Sequence, residues 1–118
     1  MVARILHQRT GTVLADRAVV ADRPWSRMRG LLGRKTFLAG EALLIRPCSS
    51  VHMFFMRFAI DIVFLDPQYR AVGLLADLRP WTVSPVFWKA HSALELPAGT
   101  LSRADVRVGD ILTISFQK

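Results

Sequence analysis

Cysteine is nearly absent from this chain of 118 residues, where Cys48 stands alone. An internal disulfide is therefore excluded, and a reducing compartment, the cytoplasm, is the expected location. No apolar run reaches the roughly 18 residues that a membrane helix requires. Arg57 and Asp61 interrupt the longest candidate. The first ten residues lack the apolar stretch of a secretory leader, which points to the same location. Closely spaced metal ligands are missing too, because His7, His52 and His91 form no His-x-x-x-His pair. Dinucleotide fingerprint, phosphate loop and Gly-x-Ser-x-Gly elbow are all absent. Neither a cofactor nor a metal is expected.

Acidic residues are scarce in the first half. Residues 1–60 carry ten Arg or Lys against three Asp or Glu, a balance of +7, whereas residues 61–118 carry six of each. Five of the positive residues fall between Arg23 and Lys35 with no negative one among them. Arginine outnumbers lysine 13 to 3, and its planar fork suits phosphate and carboxylate. A basic patch of this kind fits a small anionic partner or a solvated helix face. The neutral second half disfavours nucleic acid, although basic residues and exposed aromatics such as Trp81 or Trp88 are what single strands stack on.

Hydrophobic residues make up 52% of the chain, enough for one domain over residues 1–118 with a proper core. Strands are expected at 2–7, 12–20, 42–45, 51–56, 60–65, 70–76, 90–96 and 111–116, separated by turn signals such as Asp66-Pro67-Gln68-Tyr69. One helix is expected over residues 23–33, with Pro24 in its first turn and Trp25, Met28 and Leu32 at helical spacing. A single helical turn is expected within 102–108. About eight short strands with one packed helix predict a mainly β fold, a sandwich or barrel.

The stretch from Cys48 to Asp66 carries the most chemistry. It is almost wholly apolar, yet His52, Arg57 and Asp61 lie within it. Buried polar groups need partners. Asp61 is therefore either ion-paired with Arg29, Arg34 or Arg57, or it lines a pocket. His52 is either bonded to backbone or a ligand contact. Glu95, before Pro97-Ala98-Gly99, is expected to hold that turn's N–H groups, and Asp110 is expected to be a turn residue. A Cys48–His52 nucleophilic pair is disfavoured, since four strand residues span roughly 13 Å.

Several blocks in order carry a resemblance. They are Arg27-Met28-Arg29-Gly30-Leu31-Leu32-Gly33-Arg34, Gly40-Glu41-Ala42-Leu43-Leu44-Ile45, His52-Met53-Phe54-Phe55-Met56, Ile60-Asp61-Ile62-Val63-Phe64-Leu65-Asp66, Leu94-Glu95-Leu96-Pro97-Ala98-Gly99 and Val108-Gly109-Asp110. The set resembles the DUF192 (UPF0127) family of small bacterial and archaeal proteins, over roughly Arg23 to Phe116. The resemblance implies a mainly β fold of sandwich or barrel type and implies no particular reaction. Many members carry a leader or anchor, whereas this sequence opens directly on its first expected strand.

These readings converge on a small-ligand binding module. Its pocket is expected to be rimmed by Arg34, His52, Arg57 and Asp61, with Trp81 from a loop, and to take a small anionic or polar molecule. The alternatives are an enzyme using His52 and Asp61 as acid and base, and a protein-interaction or structural module with an exposed apolar patch.

Overall fold

The computed structural model describes residues 1–23, 31 and 34–117. Among them, seven strands form one sheet: β1 (Val2–His7), β2 (Thr12–Ala21), β3 (Gly40–Ile45), β4 (Ile60–Leu65), β5 (Ala71–Leu78), β6 (Ser92–Pro97) and β7 (Leu112–Gln117). One short helix, α1 (Thr100–Ala104), follows β6. The spatial order is β5-β4-β6-β3-β2-β1-β7, and every pairing is antiparallel except that of β2 with β3. A parallel pair needs a crossover. Here it runs through residues 22–39, where the helix expected over 23–33 falls. That helix lies outside the described residues apart from Arg23 and Leu31, and Leu31 is buried.

The expected mainly β architecture is present, with two differences. The sheet is neither a sandwich nor a closed barrel. Its two edges meet only at one corner, where Arg70 bridges Ile111 and the Leu112 N–H donates to the Tyr69 carbonyl at 3.0 Å. The second difference is residues 51–56. They form no ladder strand, only an isolated bridge between His52 and Val83. Val51, Met53 and Met56 are buried while Phe55 is 70% exposed, so burial does not follow the two-residue period of a strand. The segment is a loop that lies on the sheet, not a strand within it.

Two apolar clusters sandwich the sheet. Val63 and Leu65 pack with Ile5, Leu44, Leu94 and Leu101 on one side. Ile60, Ile62 and Phe64 pack with Leu43, Met53 and Met56 on the other. Burial on both faces explains why β4 is apolar at every position except Asp61. Beside it, Gly73 lies under the ring of Phe87, which stacks on Phe64 at 4.4 Å. A Cβ at Gly73 would come within 2.2 Å of that ring. Gly73→Ala is expected to cost roughly 1–3 kcal/mol through overpacking. Urea unfolding measures it, and a change within 0.5 kcal/mol, roughly that of a harmless surface substitution, would contradict the packing.

His7, buried at the end of β1, ties the two ends of the chain together. Its Nε2 meets Asp110 Oδ2 at 2.6 Å and its Nδ1 meets Thr10 Oγ1 at 2.8 Å. Asp110 also accepts from Arg9 Nε at 3.0 Å and from the Arg107 N–H at 2.9 Å. The Arg9 hydrogen bond, aided by His7 and the Arg107 N–H, holds the Asp110 carboxyl well below the usual carboxylate range. Asp110 is thus a hub between β1 and β7 as well as the turn residue that its place after Gly109 suggested.

Candidate functional site: an exposed aromatic shelf

The structure disperses the five expected site residues. Asp61 is only 1% exposed. Its alternation places it on the face of Val63 and Leu65, and its carboxylate accepts three backbone N–H groups. Asp77 donates to Oδ1 at 2.9 Å, and Gly99 and Leu101 donate to Oδ2 at 3.0 and 2.9 Å. Asp61 therefore fixes the end of β5 and the entry to α1, and among the described residues none of its hydrogen bonds goes to an arginine. It also does what the sequence suggested for Glu95, holding the turn after Pro97. Strand β6 alternates as β4 does, so Leu94 and Leu96 share Asp61's side of the sheet while Glu95 sits among Leu43 and Ile62 on the other.

Glu95 accordingly makes no hydrogen bond or ion pair among the described residues, although it is only 6% exposed. Burial pushes its carboxyl up to about 7. Nothing in the sequence distinguished the two acids, because each interrupts an apolar strand in the same way.

Arg34 is tied down. Its Nη2 donates to both oxygens of Glu41, at 3.2 and 3.0 Å, and its guanidinium lies 5.9 Å from the Phe37 ring centre. The Leu38 N–H, with Arg34 second, holds the Glu41 carboxyl below its ordinary value. Next to this pair, Lys35, Phe37, Leu38, Phe58 and Pro97 line an apolar cleft of about 370 Å³. Arg57 is exposed, directly before Phe58.

His52 and Trp81 do come together, through two residues that the sequence reading assigned to a strand. The His52 ring stacks on Phe54 at 5.0 Å. Phe54 lies 6.1 Å from Trp81, and Trp81 meets Phe55 edge-on at 4.8 Å. Phe55 is 70% exposed and Trp81 61%. Each also sits in the left-handed backbone region, Phe55 at φ 65° and Trp81 at φ 69°. Bulky residues rarely occupy that region. The two loops are held to each other by backbone bonds: Trp81 N–H to the Met53 carbonyl and Met53 N–H to the Thr82 carbonyl, both 2.7 Å. Buried Met53 anchors the underside. The result is a row of four rings open to solvent. The Phe54 N–H donates to His52 Nδ1 at 3.4 Å, so His52 is bonded to backbone on one side of its ring. The row can stack on the flat face of a ring and offer Nε2 of His52 for hydrogen bonding.

His52 and Asp61 share no contact. One is exposed among aromatics, and the other is buried with its oxygens bonded to backbone. An acid–base partnership between them has no geometric support. Among the described residues, no group of three or more His, Cys, Asp or Glu side chains is placed to hold a metal. No helix among them is long and apolar enough to cross a membrane.

The model of the DUF192 family, described as "Uncharacterized ACR", matches residues 5–114. The chain belongs to this family. This DUF192 chain is similar to a UPF0127 protein of Pyrococcus furiosus, 36% identical over 95 residues, covering 78% of this chain and 81% of the relative. It is similar to another from Thermococcus gammatolerans, 30% identical over 115 residues, covering 92% and 73%. The crystal structure of a protein of unknown function from Novosphingobium aromaticivorans superposes with a TM-score of 0.81 at 19% identity, over 96% of this chain and 84% of that one. At that identity the likeness concerns the fold, and it agrees with the curled sheet described above. None of these labels carries an activity, so the function has to be argued from the site.

Proposed function

We propose that this DUF192 chain is a single-domain binding module for a small polar or anionic ligand that presents a ring face, and that His52, Phe54, Phe55 and Trp81 receive it. The observation that carries the reading is the left-handed backbone of Phe55 and Trp81. Strained backbone of this kind costs of order 1–3 kcal/mol per residue and persists where function holds it. Here it holds two large rings out in water, where they contribute little to the core. Arg57, exposed two residues beyond Phe55, supplies positive charge for an anionic ligand. Arg34 and Asp61 support the frame. The lone Cys48 suits a cytoplasmic setting.

Thermal unfolding with a panel of sugars, phosphates and aromatic carboxylates tests this. At least one compound is expected to raise the melting temperature, because a ligand that binds only the folded state stabilises it. Trp81→Ala, at a residue outside both clusters, is expected to remove that rise while leaving the unliganded protein folded. A panel without effect, or one in which every rise survives in Trp81→Ala, would contradict the reading. A second reading, a protein-docking face, draws on the exposure of Trp88 (89%) together with Val83 and Val86. It predicts a silent panel.

A further inference from the structure

We infer that the cleft between strand β2, the turn at Ala39-Gly40 and helix α1 is a second binding site, for a small oxyanion of the phosphate or carboxylate class held by Arg103 and Arg17. The cleft has a volume of about 440 Å³, and Thr12, Asp16, Arg17, Gly40, Thr100 and Arg103 are among the residues lining it. It lies apart from the aromatic shelf and shares no residue with it.

Three features make it a built site. The first is the backbone of β2. Its parallel register with β3 breaks between Ala15 and Arg17, leaving Asp16 as the extra residue. Bulges of this kind re-aim side chains, and here Asp16 and Arg17 both line the cleft. The second is the pair of glycines. Gly40 (φ 88°) and Gly99 (φ 93°) both adopt left-handed backbone. A Cβ at Gly99 would stand 2.7 Å from Arg103 Nη1, and one at Gly40 would stand 3.0 Å from Arg17 Nη2. Each guanidinium lies beside a glycine and stays exposed to solvent, so a ligand can reach it.

The third feature is the charge balance. Asp16 is the one carboxylate in the lining, and Arg17 Nη1 neutralises it at 2.9 Å while Arg17 Nη2 donates to the Ala39 carbonyl at 3.2 Å. The Arg103 side chain makes no hydrogen bond or ion pair among the described residues. Its five N–H donors and the remaining donors of Arg17 face no internal acceptor. The cleft thus carries a net positive charge on planar forks suited to bidentate contact with an oxyanion.

Calorimetric titration of the whole chain with inorganic phosphate and, separately, with citrate tests the inference. Ionic strength is held constant with chloride, because screening alone alters weak surface binding. Saturable binding of one or both probes is expected, and which of them binds identifies the source of the oxyanion. Arg103→Ala is expected to weaken that binding about tenfold or more, as loss of a charged contact worth about 1.4 kcal/mol implies. Amide resonances of Gly40, Gly99 and Arg103 are expected to shift on titration, and Lys89→Ala, which removes an exposed positive charge outside the cleft, to leave the affinity unchanged. Absence of saturable binding by either probe, equal affinity in Arg103→Ala, or shifts confined to residues outside the cleft would overturn it. A failure here leaves the aromatic shelf untouched, since Trp81→Ala reads that surface alone.

Discussion

Asp61→Asn is expected to destabilise the protein by roughly 1.5–3 kcal/mol, the range for losing a buried hydrogen bond to a charged group. The substitution keeps the shape of the side chain and exchanges one carboxylate oxygen for an NH2 group. Both oxygens are in use, one by Asp77 and the other by Gly99 and Leu101. Whichever way the amide turns, its NH2 group faces at least one buried backbone N–H, which loses its acceptor. The effect spreads along the chain. β5 loses the tie at Asp77, whose backbone is left-handed at φ 54°, and α1 loses the anchor for its first turn. Denaturant titration checks the value, and hydrogen exchange at Gly99 and Leu101 checks the cause. A loss below 1 kcal/mol would mean that Asp61 is not the anchor described.

Glu95→Gln is expected to do the reverse, by an amount that grows as pH rises from about 4.5 to about 7. The Glu95 carboxyl titrates near 7 in the fold, against 4.5 ordinarily, because burial among Leu43 and Ile62 disfavours its charge. Between those values the folded chain keeps a proton that the unfolded chain has released. Stability from this group is therefore complete below about pH 4.5 and falls as pH rises to about 7. The slope is about 1.4 kcal/mol per pH unit. The accumulated cost reaches about 3 kcal/mol and then stays level. Gln carries no such titration. At pH 8 the variant is expected to be the more stable by about 3 kcal/mol, with the two proteins close near pH 5. Urea unfolding at both values measures this, and a variant less stable than the parent at pH 8 would show that the carboxylate has a partner.

These two acids also mark how far the sequence could be read. The strand run Ile60–Leu65 was plain, because burial on two faces leaves a hydrophobic signature broken only by Asp61. The turn at residues 66–69 and the strands at 2–7 and 12–20 were equally legible, since local chemistry sets them. Asp61 and Glu95 were not, because alternation says that two residues face opposite sides without saying which side holds the free N–H groups. The segment 51–56 has the apolar composition of a strand. Its fate was decided by tertiary contacts with residues 81–84, which lie about thirty positions away. That misreading hid Phe54 and Phe55, so only His52 and Trp81 of the shelf were visible beforehand. The link between His7 and Asp110 spans 103 positions and left no local trace. The cleft of Arg17 and Arg103 was missed for the same reason: it is assembled by a register break and by two glycines far apart in sequence.

The claim on which the functional account rests is that strained, solvent-facing rings at Phe55 and Trp81 exist to receive a ligand. Nuclear magnetic resonance follows this most directly, by recording the indole N–H of Trp81 and the amides of residues 52–56 during titration with the compound that most raises the melting temperature. The account predicts saturable shifts concentrated at Trp81 and residues 52–56. Unmoved resonances there, while shifts appear elsewhere on the sheet, would contradict it.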